Sequence, residues 1–145
     1  RGARAGTENV HSILGMEKAL EVAYLNLKDD TKYIQQIKSY FINELTKNFE
    51  GIIFNGCSES ETKSSYIILN VRFPKEYAML LFNLDLKGIA VSGGSACQSG
   101  SNKGSHVLKT LQGDDNKHTS VRISFSKYNT KEEVDVVVEK LRELI

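Results

Sequence analysis

The spacing of apolar residues predicts that the chain begins with two helices. Thr7 is a good N-cap residue, and the acidic Glu8 after it suits the positive end of a helix dipole. A second helix is expected after Thr31, ending at Gly51. The apolar positions share one face of each helix: Val10, Ile13, Leu14, Leu20, Ala23, Tyr24 and Leu27 in the first, and Ile34, Ile37, Phe41, Leu45 and Phe49 in the second.

Shorter apolar runs between turn residues predict strands. Residues 52–54 form a short run that stops at the turn signal Asn55-Gly56. Residues 66–73 and 121–125 alternate between apolar and polar positions, as half-buried strands do. Residues 89–91 are expected to form a short buried strand. The inward positions of the two longer strands are Leu69, Val71, Phe73, Val121, Ile123 and Phe125.

Three further helices complete the expected fold. Pro74 is expected to open one that stops at Gly88, and residues 106–111 give one or two helical turns. Thr130 and Glu133 form the sequence pattern of a capping box at the start of the last helix. With short strands and helices on one side, the order of elements predicts one α+β domain, residues 1–145, with a short sheet covered by helices.

Composition narrows the class of protein. The chain has 145 residues and a formal net charge of +1, which gives no reason to expect a nucleic-acid or anionic-membrane partner. It contains no apolar run near the roughly 18 residues of a membrane-spanning helix. Two cysteines are too few for a disulfide framework, so we expect a reducing, cytoplasmic location. The first residue is Arg1 and not methionine, and we expect the chain to be a piece of a longer protein.

Cys97 is the strongest candidate for chemistry. A free cysteine is most often a small buried hydrophobe. Residues 92–104, however, contain four glycines, four serines and almost no large apolar side chain, so nothing in this segment would bury the sulfur. We expect a mobile surface loop that carries an exposed, reactive thiol.

Arg122 and Thr7 are candidates for binding. Arg122 is expected on the strand face opposite Val121 and Ile123, where it is either an exposed arginine or a planar fork that holds a substrate carboxylate through two hydrogen bonds. Gly6 and Thr7 lie before a helix N-terminus, which suits either a phosphate site or simple helix capping.

The other cysteine and the histidines give weaker signals. Cys57 follows the Asn55-Gly56 turn and is expected to be an ordinary surface residue. The three histidines have no metal-ligand spacing with one another or with the cysteines, so no metal site is expected.

Taken together, three segments resemble the cysteine desulfurases of the NifS/IscS type. Residues 4–9, R-A-G-T-E-N, are similar to the family's R-x-G-T-x-N segment. The S-A-C of residues 95–97 is similar to its G-S-A-C-x-S loop, and the V-R-I-S of residues 121–124 resembles its V-R-x-S strand. The three segments occur in the family's order over about 120 residues, and the long segment after Cys97 points to the branch that feeds iron–sulfur scaffolds.

The resemblance implies the small C-terminal domain of a fold-type-I enzyme that uses pyridoxal 5'-phosphate. It implies that Cys97 takes the sulfur of L-cysteine as a persulfide and leaves L-alanine, while Arg122 binds the substrate carboxylate. The residue corresponding to Thr7 reaches the cofactor phosphate of the partner subunit, which implies a homodimer. The sulfur acceptor would be an iron–sulfur scaffold or another protein.

The sequence departs from the family pattern at two points. Ser126 replaces a usual glycine, which changes little because serine is small. The family's cofactor lysine lies in an S-x-H-K motif, and these 145 residues contain none, so the chain as given cannot bind the cofactor covalently in the family's way.

Two other functions remain as alternatives to a cysteine desulfurase. One is a selenocysteine lyase or other class V relative, and the other is a cofactor-independent sulfur-carrier or interaction module.

Overall fold

The structure is a computed structural model that describes residues 6–93, 105–112 and 118–145. Within the chain, contacts define two compact units, Arg1–Lys32 and Tyr33–Ile145. Cys97 and most of the glycine- and serine-rich segment around it lie outside the described residues, as do Arg1 and Arg4. The expected mobility of residues 92–104 therefore stays a prediction.

Four helices and three strands make up the described part of the chain. In order they are α1 (Val10–Asn48), β1 (Ile53–Phe54), a 3-10 turn (Asn55–Cys57), β2 (Ile68–Arg72), α2 (Leu80–Leu86), α3 (His106–Gln112), β3 (Ser120–Ser124) and α4 (Lys131–Leu144). The strands form one antiparallel sheet in the order β1-β2-β3. The α+β class is confirmed.

The prediction of two N-terminal helices is wrong, because α1 is a single helix of 39 residues. Thr31 resembles a cap in sequence, but no glycine or proline stands between Gly15 and Gly51 to interrupt the helix. The predicted cap at Thr7 is also wrong. Asn9 caps the helix instead, since its Oδ1 accepts a hydrogen bond from the main-chain N–H of Ser12 at 3.2 Å.

The first unit exposes many apolar side chains along α1. Met16 is 70% exposed, Tyr24 71% and Leu25 75%. These values are far above those of a helix packed against a core. The other large apolar residues exposed in this part of α1 are Val10, Ile13, Leu14, Leu20, Val22 and Leu27.

The second unit holds the hydrophobic core. The predicted inward alternation of the two longer strands is confirmed, with Leu69, Val71 and Val121 fully or almost fully buried. The C-terminal half of α1 and the helix α4 pack against this side of the sheet. The buried core consists of Ile34, Ile37, Phe41, Leu45, Phe49, Leu69, Val71, Phe73, Leu80, Leu84, Val121, Phe125, Val134, Val138 and Leu141.

The expected helix start at Pro74 is wrong, because α2 begins only at Leu80. Thr119 holds the intervening segment outside a helix through hydrogen bonds at three points. Its main-chain oxygen accepts from Phe73 N at 2.8 Å, and its main-chain N–H donates to Lys75 O at 3.0 Å. Its hydroxyl accepts from Tyr77 N at 2.8 Å.

The expected strand at residues 89–91 is also wrong. Gly88, with φ of 79°, ends α2 in a left-handed conformation, as the sequence predicts. The N–H groups of Gly88 and Ile89 donate to Asp85 O and Leu84 O at 2.8 and 2.9 Å, which is the Schellman pattern of a helix end. Ile89 is therefore engaged in capping, and pairing with the sheet begins only at Ser92.

The last helix starts where the sequence predicts. The Thr130 hydroxyl accepts from Glu133 N at 3.3 Å, while the Glu133 carboxylate accepts from Thr130 N at 3.1 Å. Near the other end, Glu143 accepts from Lys140 Nζ at 2.6 Å and from Lys87 Nζ at 2.8 Å, so it links α4 to the end of α2. These two ammonium groups lower the pKa of Glu143 to about 2.

Candidate functional site

Arg122 lies in the middle of β3 with its side chain exposed, opposite in direction to the buried Val121. The predicted face of the strand is therefore confirmed. Within the described residues, its guanidinium makes no hydrogen bond or ion pair. An arginine presented in this way is able to bind a carboxylate with two parallel hydrogen bonds.

Ser92 lies directly beside Arg122 on the far side of β3. The two residues exchange main-chain hydrogen bonds, Ser92 N to Arg122 O at 3.1 Å and Arg122 N to Ser92 O at 2.6 Å. Cys97 follows Ser92 by five residues in the sequence. The structure thus joins Ser92, the first residue of the cysteine-bearing segment and here called its root, to Arg122. Cys97 itself lies outside the described residues.

Gly93 fixes the same root against α2. A Cβ atom added at Gly93 would lie 2.8 Å from Cδ2 of Leu81, closer than such atoms normally approach. Only a residue without a side chain fits here without displacing Leu81. The chain is therefore hydrogen-bonded at Ser92 and lies close to Leu81 at Gly93 before it continues toward Cys97.

On the other side of Arg122, Asn70 of β2 is its cross-strand partner. The main chain of Asn70 turns away from β3, since Ser58 Oγ accepts from Asn70 N at 3.1 Å and donates to Asn70 O at 3.0 Å. Asn70 and Arg122 are thus a pair that shares no main-chain hydrogen bonds, the type in which opposed side chains lie closest. Ser58, Asn70, Arg122 and Ser92 form a row across the sheet, which we call the arginine row.

Asn55 fixes the side chain of Asn70. Its Nδ2 donates to Asn70 Oδ1 at 2.8 Å and contacts Ser120 Oγ of β3 at 3.2 Å. Asn55 is only 4% exposed, and its Oδ1 is buried without a hydrogen-bond partner in the structure. A buried amide that links β2 to β3 beside Arg122 holds this part of the sheet in one arrangement.

Lys38 secures the segment that carries Ser58. Its ammonium donates to Ser64 Oγ at 2.9 Å and to Ser65 O at 2.8 Å. The Ser64 hydroxyl in turn donates to Ser58 O at 3.0 Å. Burial lowers the pKa of Lys38, and the carboxylate of Glu59 partly offsets this effect.

Thr7 is exposed, precedes α1, and makes no side-chain hydrogen bond within the described residues. Because Asn9 caps the helix, the Thr7 hydroxyl is available to another group such as a phosphate oxygen. Its residue type and position are therefore compatible with the phosphate site expected from the sequence. Thr7 belongs to the first unit of the chain, and Arg122 to the second.

The remaining sequence candidates add no site. Cys57 is exposed, as expected, and lies at the end of the 3-10 turn with φ of 56°. Among the described residues, no group of three or more histidine, cysteine or acidic side chains could hold a metal ion. None of the described helices has the length and apolar character needed to cross a membrane.

The residues that sequence reasoning missed are Ser58, Asn55 and Asn70. The alternation of β2 does place Asn70 on the face away from Leu69 and Val71. That it lies opposite Arg122 depends on strand register, which no local pattern in the sequence reveals.

Comparisons with known proteins identify the family of the chain and support its fold. The family model described as aminotransferase class-V matches residues 1–137. The chain is 36% identical over 146 residues to a cysteine desulfurase IscS of Dictyoglomus turgidum, covering 98% of this chain and 36% of that protein. It is also 36% identical over 152 residues to a mitochondrial cysteine desulfurase of Arabidopsis thaliana, covering 99% of this chain and 33% of that protein.

Solved structures show the same likeness. A NifS-like protein superposes with a TM-score of 0.76 at 31% identity, covering 99% of this chain and 35% of that one. A NifS-like protein from Rickettsia africae gives a TM-score of 0.78 at 24% identity and supports the fold alone. The chain spans about a third of the length of these relatives. Since the family model covers nearly all of it, the chain belongs to the aminotransferase class-V family.

Proposed function

We propose that this chain is the C-terminal small domain of a cysteine desulfurase that uses pyridoxal 5'-phosphate. Such an enzyme converts L-cysteine to L-alanine and holds the sulfur as a persulfide on Cys97. The similarity to desulfurases along the whole chain supports this assignment. The lengths of these relatives support a longer enzyme around it, and so do the exposed apolar side chains of α1, which further protein would cover.

The pairing of Ser92 with Arg122 is the observation that carries the proposal. It places the residue proposed to bind the substrate carboxylate beside the root of the segment that bears the proposed nucleophile. A reaction between a thiol and a bound cysteine needs both groups to reach the same small volume. Two main-chain hydrogen bonds provide a fixed starting point for that approach.

In the proposed reaction, Arg122 binds and orients the carboxylate of L-cysteine. The Cys97 thiolate attacks the substrate sulfur, so that an S–S bond forms while the substrate C–S bond breaks. The carbon left behind takes up a proton and becomes the methyl group of L-alanine. Pyridoxal 5'-phosphate, when bound, supplies an electron sink for the electron pair released by the cleavage.

Further parts of the proposal concern residues outside this chain. The lysine that binds the cofactor covalently would be supplied by the rest of the enzyme. The Thr7 hydroxyl would contact the cofactor phosphate of the partner subunit in a homodimer. The persulfide sulfur would pass to an iron–sulfur scaffold or another acceptor protein, and we expect the enzyme to act in the cytoplasm.

The test is to express the full-length polypeptide that contains this chain, load it with pyridoxal 5'-phosphate and add L-cysteine. We expect equal amounts of alanine and transferable sulfur, with a mass increase of one sulfur atom on Cys97. Turnover of selenocysteine without turnover of cysteine would instead favour a selenocysteine lyase. Persulfide formation that does not depend on the cofactor would favour a sulfur-carrier module.

A further inference from the structure

One of the two polar atoms of the Asn70 side-chain amide is hydrogen-bonded within the described residues, and the other is not. Its Oδ1 accepts the hydrogen bond from Asn55, and its Nδ2 donates to no group within the described residues. The amide therefore presents N–H donors on the face of the sheet where Arg122 lies. Two donor groups cannot satisfy each other, so both are free to donate to water or to a ligand with acceptor oxygens.

The arginine row brings these donors within reach of one ligand. In a cross-strand pair of this type the two Cβ atoms lie about 4.5–5.5 Å apart. Asn70 is held at its main chain by Ser58 and at its side chain by Asn55. Arg122 is long, exposed and has several rotatable bonds. The amide is thus a fixed donor, and the guanidinium is a mobile, charged donor beside it.

We propose that Asn70 donates a hydrogen bond to the same substrate carboxylate that Arg122 binds. A carboxylate has two oxygens and about four lone-pair sites, enough for two guanidinium N–H groups and one amide N–H. The fixed amide sets where the carboxylate lies, while Arg122 supplies the charge. Asn55 is the positioning residue, because it keeps the Nδ2 end of Asn70 directed at the ligand. This inference rests on the proposed function.

The experiment uses the full-length enzyme loaded with its cofactor and compares wild type with Asn70→Ala. Loss of a hydrogen bond to a charged group raises the KM for L-cysteine by about tenfold or more, with kcat nearly unchanged. The second ligand is cysteamine, which lacks the carboxylate. Its inhibition constant is expected to stay the same, whereas a general disturbance of the fold would weaken both ligands.

Two more variants keep the test decisive if Asn70→Ala folds poorly. Asn70→Asp keeps the size and the acceptor for Asn55, but its carboxylate pairs with Arg122 and competes with the substrate. Its KM should rise more than that of Asn70→Ala, and added salt should reduce the difference. Asn55→Ala should give a smaller rise. Asn43→Ala, the same change at an exposed position of α1, is the matched control and should behave like wild type.

An unchanged KM in both Asn70 variants would overturn the inference, and so would equal weakening of cysteine and cysteamine. Failure of the proposed function looks different, because the wild-type enzyme itself would then release no alanine from cysteine.

Discussion

Ser92 and Arg122 exchange two main-chain hydrogen bonds, with N···O distances of 3.1 and 2.6 Å, where the segment leading to Cys97 leaves the sheet. This pairing makes Ser92 a one-residue extension of the sheet beyond β3. Any shift of β3 therefore moves both the proposed carboxylate-binding residue and the root of the proposed nucleophile. In the proposed enzyme, substrate binding and sulfur transfer share one rigid support.

Replacing Cys97 by serine in the full-length enzyme should stop the release of alanine and sulfur. A serine hydroxyl is nearly the same size as a thiol but far harder to ionise near neutral pH. Substrate should still bind, because Arg122 and the cofactor are unchanged, so the spectral change on adding cysteine should remain. The measurements are alanine and sulfide output and the absorbance of the cofactor.

Cys57→Ser is the matched control, since the Cys57 thiol is exposed and is not itself part of the arginine row, although it adjoins Ser58. We expect its activity to equal that of wild type. Full activity in Cys97→Ser, or a persulfide mapped to Cys57, would show that Cys97 is not the residue that accepts the sulfur.

Arg122→Lys should weaken cysteine binding more than it slows the chemical step. Lysine keeps the positive charge but loses the two-pronged geometry. A lost charge-assisted hydrogen bond costs about 1.5–3 kcal/mol, which corresponds to a rise in KM of roughly tenfold or more. Steady-state kinetics with L-cysteine measure this rise. If the half-saturating concentration does not change, Arg122 is not part of the binding site.

Thr130→Ala should loosen the start of α4. The substitution removes the hydroxyl that accepts the N–H of Glu133, and loss of such a cap costs about 1 kcal/mol. Hydrogen exchange of the first-turn amides of α4 should then speed up by roughly fivefold. Thr130→Ser retains an accepting hydroxyl and should exchange at nearly the wild-type rate. Equal exchange in all three proteins would contradict the capping role.

Glu143 should make stability depend on pH in the acid range. Its pKa is lowered from 4.5 to about 2 in the folded chain, because Lys140 and Lys87 favour the charged carboxylate. The contribution of Glu143 to the free energy of unfolding is therefore fully present above pH 4.5 and is lost as the pH falls through 2. Urea unfolding followed by circular dichroism between pH 5 and pH 2 measures this loss. In Glu143→Gln the free energy of unfolding should fall less between pH 5 and pH 2 than in wild type. If it falls equally in both proteins, Glu143 does not contribute to the pH dependence.

Much of the fold was predictable because local patterns dominate it. Period-two alternation placed Val121 inward and Arg122 outward, and the capping box located the start of α4. These features depend on residues close together in sequence. The errors arose where a distant partner or a competing neighbour decided the outcome. Thr119 holds residues 73–77 out of the predicted helix, and Asn9 replaces Thr7 as the cap of α1.

The candidate site was predictable only in part for the same reason. Residue type and flanking sequence identified Arg122 and Cys97 as candidates. The arginine row, in contrast, is created by strand register and by Ser58, which lies outside any strand. Asn55 looks like an ordinary turn residue in the sequence. Its link to Asn70 and Ser120 exists only once β2 and β3 are paired.

In the proposed enzyme, the close approach of Gly93 to Leu81 limits how far Cys97 can lie from the arginine row. If Gly93 stays in place, Cys97 follows it by four positions in the sequence, and a fully extended chain spans at most about 14 Å over that distance. The main chain of Cys97 therefore lies within about 14 Å of Gly93, which follows the arginine-row residue Ser92. For the proposed enzyme to pass on its sulfur, the acceptor must bring its receiving atom within reach of this short tether, so a protruding segment on the acceptor suits the task better than a flat surface.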